Sequence, residues 1–112
     1  MHSSYIDEAK RIANNSEVLC SSHGAIVIHR GKIIGRGCNK YCIKDKVTKK
    51  FSIHAEVSAI QDALRRSSLD DLKKSTLVIV RVNNNNETLN SFPCENCRRY
   101  IEEKGIKCVY YS

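Results

Sequence analysis

The spacing of apolar residues changes several times along the chain, and each change marks an element. In residues 4–17, Ile6, Ala9, Ile12 and Ala13 recur at helical spacing, with Ser3 or Ser4 placed to cap the start. "HGAIVIHRGKIIGRGC" then reads as a β-hairpin: Ala25 to Ile28 is an apolar run, "HRGK" a tight connection, and Lys32 to Gly37 a second strand. Residues 39–52 show no period and read as a connection. In "HAEVSAIQDALRR", residues 54–66, Val57, Ile60, Ala63 and Leu64 fall on one face of a helix. "STLVIVRV", residues 75–82, is an apolar strand, and the asparagine run in "NNNNET" breaks it into a loop. Residues 94–104 predict a last helix with Ile101 facing inward. "IKCVYY", residues 106–111, predicts a terminal strand in which only one of Tyr110 and Tyr111 faces inward. The order α-β-β-α-β-α-β predicts a layered α/β domain spanning residues 1–112, with no repeat or linker.

Composition narrows this picture. A length of 112 residues and a hydrophobic fraction of 41% fit one folded domain with a modest core and exclude a disordered chain. No apolar run approaches the roughly 20 residues of a membrane span, and "MHSSYIDEAKRIANNSE" has no apolar signal core. A reducing cytoplasmic setting is therefore expected, where cysteines serve metals or catalysis more often than disulfides. The formal net charge is +7. Arg30, Lys32, Arg36, Lys40, Lys44, Lys46, Lys49 and Lys50 face a single acid, Asp45, so the excess is concentrated between residues 30 and 50. That field attracts phosphate, free or in a polymer, and equally describes a solvated, lysine-rich loop.

"FPCENC" carries candidate chemistry. Cys94 and Cys97 are three apart on one helical face behind Pro93, a residue suited to a helix start. This pair suits zinc, a redox dithiol or two inert buried thiols, and spacing alone does not choose. "HAE" at the start of the other strong helix changes the balance. His54 with Cys94 and Cys97 makes three ligands, the number a catalytic zinc keeps beside one open position. A redox pair leaves "HAE" unexplained. Zinc with two thiolates and a neutral histidine is formally neutral and still makes water much more acidic. Glu56 is then placed to move a proton between water, a substrate ring nitrogen and a departing ammonia.

With those residues in view, "HAEVSAIQDAL" and "PCENCRRYI" resemble the cytidine deaminase superfamily, whose signature is H-x-E followed by P-C-x-x-C. His54, Glu56, Pro93, Cys94 and Cys97 match it, "HGAIVIHRGKIIGRGCN" is similar to the family's first hairpin, and the resemblance spans nearly the whole chain. It implies a three-layer α-β-α domain with a mixed five-stranded sheet and zinc between two helices. It also implies hydrolytic removal of an amino group from cytosine, or from adenine or guanine in some branches. It assigns Asn39 to the substrate sugar and the Ala55 amide to the base edge. The single histidine points to the one-histidine, two-cysteine branches. The chain ends at Ser112 directly after its fourth predicted strand, so the domain is expected to be shortened at its C-terminal end.

The leading expectation is a zinc-dependent deaminase of cytidine, deoxycytidine or deoxycytidylate that self-associates, takes a small-molecule pyrimidine and touches no membrane. An RNA or tRNA adenosine deaminase is the enzyme alternative, disfavoured by the absence of any appended polymer-binding surface. An inactive zinc-stabilised binding domain is the other, and the intact Glu56 argues against it. Cys20, Cys38, Cys42 and Cys108 are read as buried thiols. Cys38 and Cys42 are too loosely spaced for a convincing second metal site. Phe92 is read as core packing or the edge of a base pocket. His23 is read as lying ahead of the hairpin, with a direct chemical role disfavoured.

Overall fold

The computed structural model describes residues 3–16, 22–43, 50–83, 85 and 87–112. Lys44, Asp45, Lys46 and Lys49 of the basic segment, and Cys20, lie outside the described residues. The elements run α1 (Ser3–Ala13), β1 (Ser22–His29), β2 (Lys32–Cys38), β3 (Lys40–Ile43), β4 (Lys50–Ile53) and α2 (Ala55–Leu64). They continue with α3 (Leu69–Lys73), β5 (Thr76–Val82), β6 (Thr88–Leu89), α4 (Glu95–Glu103) and β7 (Cys108–Tyr111).

The main sheet is mixed. β1 pairs antiparallel with β2 on one side and β5 on the other. β7 pairs parallel with β5 along Thr76 to Ile79, and the two-residue β6 pairs with Arg81 and Val82 further along β5. Because β1 occupies the other side of β5, β7 and β6 share one edge of it. The fifth strand of this sheet is therefore β6, and no described strand lies outside β7.

Period-two alternation builds the two faces. Ala25, Val27, Leu77 and Ile79 point into a core with Ala55, Ala59, Ile60, Ala63, Leu72, Ile101 and Ile106, under α2 and α4. Ile26, Ile28, Val78, Val80 and Val82 point the other way and pack with Ala9, Ile12 and Ala13 of α1. The three-layer expectation holds, and Ile101 is buried as expected.

Several details differ from the sequence reading. The stretch read as a connection without period holds paired strands, β3 (Lys40–Ile43) and β4 (Lys50–Ile53), which run antiparallel. α2 packs on Ala55, Ala59, Ile60 and Ala63, while Val57 and Leu64 are only half-buried. The cause is β2. A Cβ at Gly35 would land on Ala59 and Ala63, and one at Gly37 on Ala59, Ser58 and Ala55. The helix backbone lies directly on the strand, so its smallest side chains take the contact. α3 carried no periodic signal. It is held by a capping box in which Ser68 accepts from the Asp71 N–H and Asp71 accepts from the Ser68 N–H, both at 3.3 Å.

The sheet edge also departs from expectation. Tyr110 and Tyr111 are both about half exposed, at 48% and 50%, and Phe92 is exposed rather than packed in the core. Cys108 is exposed too. All four stand on or beside β7, where no further layer among the described residues covers them. The tight connection is confirmed: His29 pairs with Lys32, and Arg30 and Gly31 both take positive φ, as a two-residue hairpin turn requires.

Candidate metal centre

His54 and Cys94 occupy equivalent positions. Each is the N-cap of a helix, His54 of α2 and Cys94 of α4, with extended backbone and no side-chain capping bond. Their side chains are thus not spent on their own helix starts. β2 and β5 run parallel, since each is antiparallel to β1. α2 lies on β2 with Ala55 over Gly37, near the strand's carboxyl end. α4 leads into β7, which runs parallel to β5, so α4 also begins at that end of the sheet. Two helix N-termini therefore meet at the carboxyl ends of β2 and β5.

The donor atoms converge. His54 Nδ1 stands 3.0 Å from Cys97 Sγ and 3.7 Å from Cys94 Sγ. All three donor atoms lie within 4.8 Å of one another, a cluster positioned to chelate a metal ion. His54 and Cys94 are exposed and Cys97 is buried, so the cluster opens to solvent on one side only.

Glu56 follows two residues after His54, inside the first turn of α2, and is only 4% exposed. Burial pushes the Cys97 thiol well above its ordinary range, the Glu56 carboxylate adds to this, and a hydrogen bond with Cys94 adds further. A buried acidic side chain beside two thiols is a setting that favours a cation. A bound divalent ion inverts this balance, because a coordinating thiol gives up its proton. One imidazole and two thiols form a donor set that suits zinc.

The other predicted residues take the following positions. Ala55 is the first residue of α2 and fully buried. Asn39 is buried, at 7%, just past β2. Its Oδ1 accepts from the His23 N–H at 2.9 Å and from Ser16 Oγ at 2.5 Å, so its carbonyl pins three segments together. His23 is not ahead of the hairpin but inside β1, opposite Arg81. Cys38 is buried against α1, as read. Phe92 makes an edge contact with Tyr111 at 5.0 Å and lies under the Arg98 guanidinium at 5.1 Å. Sequence reasoning passed over Ser16 and Arg81. Nothing in their local spacing marks them, and only strand register brings Arg81 to this end of the sheet. No helix among the described residues is long and apolar enough to cross a membrane.

Comparison with known proteins agrees with this geometry. Residues 1–112 match the family model described as the cytidine and deoxycytidylate deaminase zinc-binding region. Among solved structures, dCMP deaminase from the cyanophage S-TIM5 in complex with dCMP and dUMP superposes with a TM-score of 0.69 at 26% identity, covering 97% of this chain and 78% of that one. Cytidine deaminase from Burkholderia pseudomallei gives 0.69 at 21% identity, covering 94% and 77%. Guanine deaminase from Bacillus subtilis gives 0.66 at 22% identity, covering 100% and 64%. No curated protein matches the chain. The chain is shorter than each of these solved relatives.

Proposed function

Because the chain belongs to the cytidine and deoxycytidylate deaminase zinc-binding family, we propose that residues 1–112 form one hydrolytic deaminase domain. It acts on a free cytosine nucleoside or nucleotide and releases ammonia. The observation that carries this reading is the His54–Cys94–Cys97 cluster with Glu56 buried beside it. The dCMP and dUMP held by the S-TIM5 relative support the cytosine assignment, while the guanine deaminase of similar fold is why the base needs a direct test.

His54 Nδ1, Cys94 Sγ and Cys97 Sγ are the proposed zinc ligands. Zinc held there supplies Lewis acidity, which makes water nucleophilic near neutral pH. Glu56 is the proposed general acid and base. It takes a proton from the attacking water and delivers it to the ring nitrogen beside the amino-bearing carbon. The water oxygen bonds to that carbon as a hydroxyl. Glu56 then takes the proton of that hydroxyl and passes it to the amino group, so that the carbonyl forms as the carbon–nitrogen bond breaks and ammonia leaves. Burial of Glu56 keeps its proton traffic directed at the substrate rather than at bulk solvent. The Ala55 amide, at a helix N-terminus where backbone N–H groups lack intrahelical acceptors, is assigned to the base edge. Asn39 is assigned to the sugar, its carbonyl fixed by Ser16 and His23.

The test is ammonia release from cytidine, deoxycytidine, their monophosphates, adenosine, guanine and tRNA by zinc-loaded protein. Turnover of at least one free cytosine compound is expected. Activity confined to tRNA or to a purine overturns the substrate assignment and leaves the metal chemistry standing. Self-association is part of the same reading. No described strand pairs the outer edge of β7, where Tyr110 and Tyr111 are half exposed, and such edges are sealed in most soluble proteins. Light scattering over a concentration series is expected to show an oligomer, and an active monomer at every concentration rules it out.

A further inference from the structure

Strand register places one cation where the proposed site needs it. Ala25 pairs with Gly37 on one side and with Ile79 on the other, and this row lies under the start of α2. The next row on the same face is His23 opposite Arg81. Asn39 extends that row, its N–H donating to the His23 carbonyl at 3.3 Å. The first row is covered by Ala55 of α2. The second lies one step further toward the strand ends, in front of the helix starts that carry His54 and Cys94.

Arg81 is the unusual member of that row. Its main chain is occupied, the N–H donating to Ser112 Oγ at 3.2 Å. Its Nε is buried and has no hydrogen-bond partner among the described residues. No carboxylate among the described residues pairs with its guanidinium. An arginine stays charged under all ordinary conditions, and burying part of that charge without a partner costs stability. A guanidinium whose buried Nε has no acceptor among the described residues is suited to an oxyanion brought by a ligand.

We propose that Arg81 binds the phosphate of a nucleoside monophosphate, making the phosphorylated form the preferred substrate. The inference rests on the deaminase reading for the placement of base and sugar. Neighbouring strands are roughly 4.8 Å apart, so Arg81 starts about 10 Å along the row from Asn39. A sugar held at Asn39 thus directs its 5′ phosphate along the row, within the reach of a long arginine side chain. The contact is a guanidinium pair at the sheet end, distinct from general attraction by the basic segment before residue 50.

Binding to zinc-loaded Glu56→Gln protein tests this without turnover. Calorimetry compares deoxycytidine with deoxycytidine 5′-monophosphate at low and high salt. The monophosphate is expected to bind at least about tenfold more tightly at both, the scale of a charged hydrogen-bonded contact. Adding Arg81→Met is expected to erase most of that ratio, and Arg81→Lys to restore part of it. Arg81→Met alone is also expected to melt no lower than the parent, because it removes a partly buried charge that no carboxylate among the described residues pairs. A ratio near one in the parent, absence of nucleotide binding, or a ratio unchanged by Arg81→Met overturns the proposal. So does a ratio that vanishes at high salt. Failure of ammonia release across the compound panel instead removes the deaminase reading, and the two failures are read from different experiments.

Discussion

His54 Nδ1 lies 3.0 Å from Cys97 Sγ although 43 positions separate the two residues. Nothing local produces that contact. It follows from α2 and α4 lying on the same face of one sheet and starting at the same end of it. The two ligand-bearing helices are held by cores of small and branched residues, so the donor atoms are positioned by packing before any metal arrives. That preorganisation lowers the ordering cost that binding must otherwise meet.

Glu56→Gln separates binding from chemistry. The amide keeps the size of the carboxylate and can still donate or accept a hydrogen bond, but it cannot carry a proton between water and substrate. We expect zinc content and melting temperature to stay close to the parent values. Turnover should fall at least about a hundredfold, the lower end of what a positioned acid–base group contributes. Ammonia release at near-parental rate by zinc-loaded Glu56→Gln removes Glu56 from the mechanism.

One zinc per chain is expected on His54, Cys94 and Cys97. Elemental analysis gives the stoichiometry, and an anomalous difference map at the zinc edge gives the position. Cys97→Ala should abolish binding, since it removes the buried ligand of the three. Metal that binds only the native state adds its binding free energy to stability. Chelation should therefore lower the melting temperature of the parent by several degrees and leave that of Cys97→Ala unchanged. Zinc bound elsewhere, or parent protein purified repeatedly without it, contradicts the assignment.

Ser68→Ala tests an element that the sequence pattern did not disclose. Ser68 and Asp71 satisfy each other's backbone N–H groups at the start of α3. Leu72, held by that five-residue helix, is fully buried in the core beneath α2. Loss of the cap should cost about 1 kcal/mol, the usual scale of such a substitution. Urea unfolding reads this as a lower midpoint with an unchanged slope, and turnover at low temperature should match the parent.

The elements that sequence periodicity revealed are those that bury a broad apolar stripe. β1 and β5 alternate between two cores, so "AIVI" and "LVIV" read as strands without ambiguity. The cluster positioned to chelate a metal was legible because three residues of two metal-binding types, one histidine and two cysteines, sat at two helix starts. What stayed hidden depends on pairing. β3 and β4 bear mixed side chains and exist because each satisfies the other's backbone. Tyr110 and Tyr111 were expected to divide between an inward and an outward face, and on the edge strand β7 both are about half exposed. Arg81 looked like one polar residue in an apolar strand until register placed it beside His23 and Asn39. The helix face was displaced by one residue class, from Val57 and Leu64 to alanines, because the glycines that permit close contact lie in a different element.

Gly37→Ala should therefore damage the site as well as the fold. A Cβ at Gly37 would meet the backbone of Ala55 and Ala59 and the side chain of Ser58, atoms of the first turns of α2. Backbone atoms cannot rotate away, so the helix start must move off β2 and carry His54 and Glu56 with it. Overpacking of this kind costs about 1–3 kcal/mol in stability. Displacement of one ligand by a fraction of an ångström also weakens chelation and misplaces the proton carrier. Gly24→Ala is the matched control, because its Cβ would strike Ala9 and Ala13 of α1 on the opposite face of the sheet. Both variants should unfold at lower urea than the parent. At temperatures where both remain folded, only Gly37→Ala should bind zinc more weakly and lose turnover. Equal loss of zinc affinity in both variants shows that α2 does not depend on β2 for its placement, and that the metal centre responds to global stability alone.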